Sequence, residues 1–299
     1  YRIIKYFANK TQLKNYQSIT VVRELNLLLQ FFKTKTIHVL YGDMDFYYLH
    51  YVKRFPFNLR PTILTATFHH PPSELDKRLG YNRKQVLGAL DKIVVMGPNQ
   101  IPFFKPYTEA AIRFIPHGIH LDYFKPNPDA IKQNQFLILG ISHRDHERNI
   151  AIIEAFPKDL ICRFIVVMPP QYAKLYDSLD GVDFITDQIT DNQLLRYYQE
   201  SKGLLLSLKD CTASNSILEA LACGCPLITN RVGAGEAYIP DDSGIPVFET
   251  LDIQGSIAYM VELLENETMV KTIRIKQREL AKKYDWKLIA KATEDFILQ

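Results

Sequence analysis

The chain has 299 residues, 47% of them hydrophobic and 23% charged, and a formal net charge of +3 at pH 7. This length and composition predict a globular protein with one large core or, more in keeping with its size, two ordinary ones. No apolar run approaches the roughly 20 residues of a transmembrane helix, and the first residues lack the apolar core of a signal peptide, which predicts a cytoplasmic protein.

Apolar, β-branched segments alternate with stretches of helical periodicity along most of the chain. The segments that predict strands are Thr36–Tyr41, Thr62–Phe68, Lys92–Met96, Ile112–Ile115, Gln135–Leu139, Ile161–Val167, Val182–Ile185, Gly203–Leu208, Pro226–Thr229 and Ile245–Phe248. Helices are predicted between them, for example at Asn149–Phe156, Gln193–Ser201 and Asp252–Leu264. This alternation is typical of an α/β protein with parallel sheets covered on both faces.

A polar segment with two prolines, Tyr123–Asp129, interrupts this pattern, and we place a domain boundary there. The sequence therefore predicts an N-terminal domain over residues 1–125 and a C-terminal domain over residues 126–285. Asp285 is a candidate N-cap for a last helix over residues 286–299, which we assign to the N-terminal domain.

The two halves differ in charge. Residues 1–125 carry 18 Lys and Arg against 8 Asp and Glu, a net charge of +10, whereas residues 126–299 carry 18 against 25, a net charge of −7. A basic half fits an anionic partner, such as a membrane surface contacted peripherally or a lipid diphosphate, and it equally fits a solubilising surface. Nucleic acid is not expected, because the basic residues are scattered and no nucleic-acid motif accompanies them.

Two features bear on metal binding. The four cysteines, which are Cys162, Cys211, Cys223 and Cys225, lack a fourth ligand at a zinc-like spacing, so we predict buried thiols and no metal site. Asp43-Met-Asp45 follows a predicted strand, and two carboxylates at this spacing are a candidate site for a divalent metal ion such as manganese. It also precedes the helical stretch Phe46–Arg54, so we favour Asp43 as an N-cap.

The most informative segment, Cys211 to Thr229, combines a polar loop, a helix, a glycine stop and a buried strand. Its candidate helix caps and phosphate ligands are Thr212, Ser214, Asn215 and Ser216. Gly224 can adopt the left-handed conformation that ends a helix, and Pro226 begins the next strand. Unpaired N–H groups at a helix start favour an anion, so the segment predicts a diphosphate site.

Five motifs in order resemble those of the retaining glycosyltransferases of family 4. They are Thr67-Phe-His69, Ile115-Pro-His-Gly-Ile-His120 with Phe124-Lys-Pro126, Gly140 to Arg148, Cys211 to Glu219 in place of a Glu-x7-Glu signature, and Tyr284-Asp-Trp286. The resemblance covers the chain from about residue 36 and implies the GT-B fold, two Rossmann-like domains whose parallel sheets face each other across a cleft. The family's first strand and glycine-rich loop are not visible before residue 36, so we expect an incomplete, shortened N-terminal domain.

The resemblance implies an enzyme that transfers a sugar from a nucleotide sugar to a hydroxyl acceptor, glycan or lipid-linked, with retention and without a metal or other cofactor. Arg144 and Arg148 would stabilise negative charge on the departing diphosphate. Glu219 would accept hydrogen bonds from the ribose hydroxyls, although with Ser216 it also fits a capping box. His69 would contact the donor sugar, with His70 as the alternative if the strand register is shifted by one residue.

Two further features concern the donor, namely the place of its base and the residue at the position of the family's first glutamate. The base would lie against the loop after Val182–Ile185, between Thr186 and Ile189. Cys211 stands where the family has its first glutamate, and Asp210 is a candidate substitute. This departure leaves two other functions open, a non-catalytic nucleotide-binding partner of a glycosyltransferase and a nucleotide-sugar epimerase of the same fold.

Overall fold

The structure, a computed structural model, describes residues 2–11, 13, 16–31, 33–53, 62–80 and 82–299. The chain divides into two compact units. Unit 1 consists of Tyr1–Pro116 and Ile289–Gln299, and unit 2 of His117–Leu288. None of the described helices combines the length and the apolar character needed to cross a membrane.

The described residues of unit 1 form a four-stranded parallel sheet, whose strands are neighbours in chain order. These strands are β1 (Thr36–Val39), β2 (Ile63–Phe68), β3 (Lys92–Val95) and β4 (Ala111–Phe114). The helices are α1 (Arg2–Lys10), α2 (Ser18–Phe31), α3 (Leu49–Lys53), α4 (Pro72–Leu79), α5 (Arg83–Leu87) and α6 (Ile101–Phe104). Fully buried apolar side chains, among them Phe31, Leu64 and Ile93, form the core of this unit.

Unit 2, which is described throughout, contains a five-stranded parallel sheet. Its strands are β5 (Gln133–Leu139), β6 (Arg163–Val167), β7 (Val182–Ile185), β8 (Ser201–Leu206) and β9 (Leu227–Thr229). Its helices are α7 (His146–Ala155), α8 (Asp191–Glu200), α9 (Asn215–Cys223), α10 (Gly235–Tyr238), α11 (Ile253–Glu265) and α12 (Glu267–Ala281). The last helix, α13 (Trp286–Leu298), begins in unit 2 and continues into unit 1.

The strand order in unit 2 is β7-β6-β5-β8-β9, so β5 is central. From β5 the chain builds the sheet first in one direction, through β6 and β7, and then in the other, through β8 and β9. The connections that leave β5 and β8 therefore run to opposite faces of the sheet. Ligands of open parallel sheets bind at this point of reversal, beyond the carboxyl ends of the strands.

Local sequence accounts for the ends of several helices in unit 2. Asp145 caps α7 by accepting a hydrogen bond from the Arg148 amide at 3.2 Å. Thr190 caps α8 in a capping box with Gln193. Gly224 ends α9 in the left-handed region, at φ 59° and ψ 36°, as the sequence predicts.

The predicted strands are confirmed with small shifts at their ends, except for Ile245–Phe248. In the structure this segment makes only an isolated bridge between Asn230 and Phe248. Pro246 within it has no N–H group to donate to a ladder, which explains why a β-branched segment fails to become a strand. Arg54, the last residue of the predicted helix Phe46–Arg54, lies outside the described residues.

The two units divide after Pro116, earlier than the predicted boundary after residue 125. Residues 117–125 pack with unit 2 because the Ile119 amide donates to the Tyr284 carbonyl at 2.7 Å. In addition, the Arg278 guanidinium donates to the carbonyls of Leu121 and Phe124, at 3.1 and 2.8 Å. The prolines mark an interruption in secondary structure. These long-range hydrogen bonds, in contrast, determine that residues 117–125 belong to unit 2.

The last helix begins where the sequence predicts it. The Asp285 carboxylate accepts a hydrogen bond from the Lys287 amide at 2.8 Å and so caps α13. Near the other end of α13, the Lys92 ammonium donates to the Phe296 carbonyl at 2.8 Å. The Arg113 guanidinium lies 4.7 Å from the centre of the Phe296 ring, so the end of α13 is held against β3 and β4.

Candidate nucleotide-binding site

The loops that follow β5 and β8 are joined by backbone hydrogen bonds. The Asp145 amide donates to the Ser207 carbonyl at 3.0 Å, and the Lys209 amide donates to the His143 carbonyl at 2.9 Å. Arg144 and Leu208 form an isolated antiparallel bridge between them. The loop that carries Arg144 is therefore fixed beside the loop that leads to α9, at the point where the sheet reverses direction.

Arg144 makes three hydrogen bonds that fix its guanidinium. Its Nε donates to the Leu139 carbonyl at 2.9 Å, its Nη1 to the Ser142 carbonyl at 3.0 Å, and its Nη2 to Ser216 Oγ at 3.0 Å. Burial lowers the pKa of Arg144, while the nearby Glu219 carboxylate raises it. An arginine remains charged in proteins, so a fixed cation lies at the start of α9.

Gly140 leaves room for this guanidinium. The residue has φ +82°, a conformation that side-chain-bearing residues rarely adopt. A Cβ atom at position 140 would lie 2.4 Å from Arg144 Nη2. Any residue other than glycine would therefore strain the backbone and displace the arginine.

The start of α9 presents unpaired backbone donors. Ser214 occupies the N-cap position but its hydroxyl makes no capping bond, and its carbonyl accepts from the Ile217 and Leu218 amides at 3.1 and 3.2 Å. Among the described residues, none accepts a hydrogen bond from the amides of Asn215 and Ser216. Neither residue is the N-cap, although the sequence allowed both as caps. These two N–H groups, next to Arg144, suit an anion.

Glu219 lies one turn further along α9. Its Oε2 accepts a hydrogen bond from the Tyr198 hydroxyl at 2.7 Å. The capping box with Ser216 is absent, because the N-cap is Ser214 and the Ser216 hydroxyl accepts from Arg144. Burial raises the pKa of Glu219, and the hydrogen bond from Tyr198 and the charge of Arg144 partly offset that rise.

Cys211 lies in the connection between β8 and α9 with its thiol directed inward. It is 5% exposed, and its Sγ lies 3.4 Å from the Val232 carbonyl. Burial raises the pKa of this thiol to about 11, so it is neither a thiolate nor a counterpart of a carboxylate. Gly233 packs against it, since a Cβ at Gly233 would lie 2.4 Å from the Cys211 carbonyl oxygen and 2.7 Å from Asp210 Oδ1.

The other small polar residues of this connection are largely enclosed. Thr212 and Ser214 are buried, whereas Asn215 is exposed at the first position of α9. All four cysteines are free thiols. Among the described residues, no group of three His, Cys, Asp or Glu side chains is arranged to hold a metal ion.

Arg148 does not join Arg144. It is 4% exposed and makes four hydrogen bonds, to the Thr250 and Asp252 carbonyls and to the hydroxyls of Ser207 and Ser256. These bonds tie α7 to the segment before α11. The predicted contact of Arg148 with a diphosphate is therefore replaced by a structural role, because its guanidinium is occupied inside the unit.

Thr186 and Ile189 follow β7, which lies at the edge of the sheet. Both are on the carboxyl side of the strands, as the sequence predicts, but β6 and β5 separate β7 from β8. Two strands therefore lie between the strand that leads to Thr186 and the strand that leads to α9. Thr186 is exposed and Ile189 is half-buried.

His69 lies in unit 1, immediately after β2. Its ring stacks on Tyr41 with centroids 4.7 Å apart, and its amide and that of His70 donate to the buried carboxylate of Asp43 at 3.2 Å. The predicted N-cap role of Asp43 is wrong, because α3 begins only at Leu49 and Asp43 instead holds the turn after β2.

Sequence reasoning missed Tyr198 and Gly233. The available signal for Tyr198 was its spacing of four residues from Leu194, which places both on one face of α8. That spacing indicates an inward-facing side chain, but it does not show that the hydroxyl meets Glu219. For Gly233 the signal in the sequence was a glycine soon after a buried strand. In the structure this glycine has a positive φ of 55°.

Comparisons with known proteins identify glycosyltransferases among the proteins that this chain resembles. Residues 134–266 match the family model described as Glycosyl transferases group 1. Sucrose-phosphate synthase from Thermosynechococcus elongatus is similar in structure, with a TM-score of 0.73 and 17% identity over 93% of this chain and 77% of that one. The chain has the GT-B fold.

Two further solved structures share this fold. HepE of Anabaena, in complex with UDP and glucose, has a TM-score of 0.71 and 12% identity over 92% of this chain and 80% of its own. The pneumococcal O-GlcNAc transferase GtfA, in complex with UDP and GlcNAc, has a TM-score of 0.68 and 15% identity over 93% of this chain and 59% of its own. No curated protein sequence matches this chain significantly. The family match supports sugar transfer as the class of activity, and these neighbours show the fold.

Proposed function

We propose that the protein transfers a glycosyl unit from a nucleotide diphosphate sugar to a hydroxyl acceptor, glycan or lipid-linked, with retention at the anomeric carbon and without a metal. One observation carries the proposal. The Arg144 guanidinium and the unpaired amides of Asn215 and Ser216 occupy the reversal point of the sheet in unit 2, with the Glu219 carboxylate one turn further along. A fixed cation and a helix start suit a diphosphate, and a carboxylate acceptor suits a ribose diol.

The leaving-group chemistry requires positive charge at this place. Breaking the anomeric bond leaves negative charge on the β-phosphate, and donors that are already oriented stabilise it without reorganisation. The three hydrogen bonds of Arg144 leave two of its five guanidinium N–H groups without an acceptor among the described residues. Arg144 would therefore contact the β-phosphate, and the amides of α9 would contact the same group.

The rest of the donor has candidate partners. Glu219 would accept hydrogen bonds from the ribose hydroxyls, and the base would lie against the loop between Thr186 and Ile189. His69, after β2, would contact the donor sugar. The motif order supports retention, and the UDP and sugar named for HepE and GtfA support a nucleotide-sugar donor.

Cys211 favours one alternative function. A buried, protonated thiol stands where the family pattern has its first glutamate, and a thiol cannot bind sugar hydroxyls as a carboxylate does. A non-catalytic nucleotide-binding partner of a glycosyltransferase would keep Arg144 and Glu219 and need no such carboxylate.

The proposal is tested with the purified chain. Thermal shift with UDP, GDP, ADP and their sugars should show stabilisation by one base series, because a ligand that binds only the folded state raises the melting temperature. Glu219→Ala should weaken that stabilisation, whereas Cys211→Ser, whose side chain faces the interior, should preserve it. NMR of the product should then show the donor's anomeric configuration. Binding without hydrolysis or transfer of any donor would support the non-catalytic alternative, and conversion of the donor to an isomer would support an epimerase.

A further inference from the structure

The contact between Tyr198 and Glu219 joins two helices of unit 2. Tyr198 is completely buried on α8, and its hydroxyl donates to Glu219 Oε2 at 2.7 Å. Burial raises the pKa of Tyr198 well above its ordinary value, so the hydroxyl stays protonated and can donate this bond. A short hydrogen bond from a neutral hydroxyl to a carboxylate is one of the stronger bonds in proteins.

The tyrosine itself is fixed on both sides. Its ring meets the Phe124 ring edge to face, with centroids 6.4 Å apart. The neighbouring Gln199 donates from Nε2 to the Lys125 carbonyl at 2.8 Å, which anchors the same end of α8. Tyr198 therefore gives Glu219 a rigid partner.

The carboxylate is consequently held in one orientation. Its Oε2 is directed at Tyr198, and no described residue donates a hydrogen bond to Oε1. Rotation of the carboxylate would break the bond to Tyr198 inside the unit, where an unpaired polar group is costly. Oε1 is thus the oxygen that is left for a ligand.

We propose that Tyr198 is a positioning residue that aligns the Glu219 carboxylate for a ribose diol and so sets a preference for ribonucleotides over deoxyribonucleotides. The inference rests on the proposed function, in which Glu219 receives the ribose. A fixed acceptor discriminates strongly, because a ligand that lacks the matching hydroxyl leaves the acceptor unpaired, whereas a mobile carboxylate can turn to another donor or to water.

The same contact influences the protonation of Glu219. The groups that face the carboxylate are Arg144 from the loop after β5, Tyr198 and Asp191 from α8, and Cys223 on α9. Burial raises the pKa of Glu219, and the bond from Tyr198 lowers it. Protonated Glu219 loses acceptor strength, so nucleotide affinity should fall as pH falls through this pKa. Removal of the Tyr198 hydroxyl should shift that fall to higher pH.

Titration calorimetry on Tyr198→Phe tests the inference, because phenylalanine keeps the ring and removes only the hydroxyl. The probes are UDP, GDP and ADP, followed by the 2′-deoxy form of whichever nucleotide binds best. We expect Tyr198→Phe to weaken the ribonucleotide about fivefold to tenfold, the effect of one lost hydrogen bond. We expect it to weaken the deoxynucleotide less, so that the ratio of the two affinities narrows, and to move the acid midpoint of binding to higher pH.

Two variants separate positioning from general damage. Tyr197 lies on the same helix and is half-buried. Tyr197→Phe should leave the ribonucleotide affinity, the ratio of ribonucleotide to deoxyribonucleotide affinity and the acid midpoint of binding unchanged. In a Glu219→Gln background, Tyr198→Phe should have no further effect on the ratio, because the two residues act as one unit.

Each outcome decides one of the two claims. If the wild-type protein binds a nucleotide without preferring its ribose form, or if Tyr198→Phe shows the same ratio of affinities and the same acid midpoint as the wild type, the inference is overturned while the proposed function stands. The inference is also overturned if Tyr198→Phe narrows the ratio of ribonucleotide to deoxyribonucleotide affinity as much in the Glu219→Gln background as in the wild-type protein. If the wild-type protein binds none of the three nucleotides, the proposed function fails and the inference fails with it. Should Tyr198→Phe melt before the titration temperature, Glu219→Gln alone must narrow the ratio, and an unchanged ratio contradicts the inference.

Discussion

A single glycine, Gly140, determines whether Arg144 can occupy its place after β5. Gly140→Ala puts a Cβ at 2.4 Å from Arg144 Nη2, in a backbone conformation that alanine rarely adopts. We expect the variant to lose about 1 to 2 kcal/mol of stability and to bind the preferred nucleoside diphosphate at least tenfold more weakly. Affinity for the corresponding nucleoside, which lacks phosphate, should be unchanged.

Gly181→Ala is the matched control for that prediction. Gly181 also has a positive φ, 73°, but it lies before β7, near the Cys162 carbonyl and away from Arg144. It should lose stability to a similar extent without any change in diphosphate affinity. Diphosphate affinity is measured for both variants by titration calorimetry. Equal losses of affinity would mean that Gly140→Ala weakens binding only through general destabilisation, which would contradict the prediction.

At the residue level, sequence reasoning succeeded where the cause is local. Gly224 and Asp285 were predicted because a helix end depends on the few residues around it. Arg144 and Arg148 look alike in sequence, one turn apart in a charged segment, and the structure separates them completely. They differ because Arg148 is surrounded by carbonyls and hydroxyls from distant parts of the sequence. A pattern of neighbouring residues does not reveal such partners.

Between elements, Arg148 links α7 to the segment that leads into α11. Arg148→Met would leave the hydroxyls of Ser207 and Ser256 and the Thr250 carbonyl without this donor in the interior. Buried polar groups that lose a partner cost about 1 to 3 kcal/mol each. We therefore expect a clear drop in the urea midpoint of unfolding, with diphosphate affinity retained in the folded protein.

Arg144→Met should show the opposite result. Arg144 is half-buried, so the loss of stability should be smaller, while diphosphate affinity should fall at least tenfold because a charge-assisted contact is removed. Comparable effects of the two substitutions on both measurements would contradict the distinction between a binding arginine and a structural one.

The elements themselves were largely predictable because parallel strands covered on both faces are continuous apolar runs. β6 and β8 are such runs, and they were found with small errors at their ends. Ile245–Phe248 has the same apolar character but includes Pro246, and tertiary pairing left it as a single bridge. The meeting of α8 and α9 at Tyr198 and Glu219 was not predictable, because it depends on how two helices pack.

For the whole molecule, the two-unit α/β architecture followed from the alternation of strands and helices, but the division after Pro116 did not. The charge asymmetry is a second property of the whole chain. Residues 1–125 have a net charge of +10 and include α1, where Ile3 and Tyr6 are 73% and 61% exposed. Basic side chains beside exposed apolar ones suit the surface of an anionic membrane. We propose that this half contacts such a surface peripherally.

That proposal predicts binding to vesicles. The protein should co-sediment with vesicles that contain roughly a third phosphatidylglycerol and not with pure phosphatidylcholine, because each basic residue near an anionic surface contributes about 1 kcal/mol. Binding should decrease from about 0.1 M to about 1 M salt, as the Debye length falls from about 10 Å to about 3 Å. Lys5→Glu with Lys10→Glu, both exposed on α1, should reduce binding by more than tenfold.

Charge reversal elsewhere supplies the control. Lys174→Glu with Lys271→Glu changes the net charge by the same amount on exposed residues of unit 2. If the basic half is the contact surface, this pair should reduce vesicle binding far less than the pair on α1. Equal reductions would show that the protein responds only to its total charge, and unchanged binding of the α1 variant would remove α1 from the proposed surface.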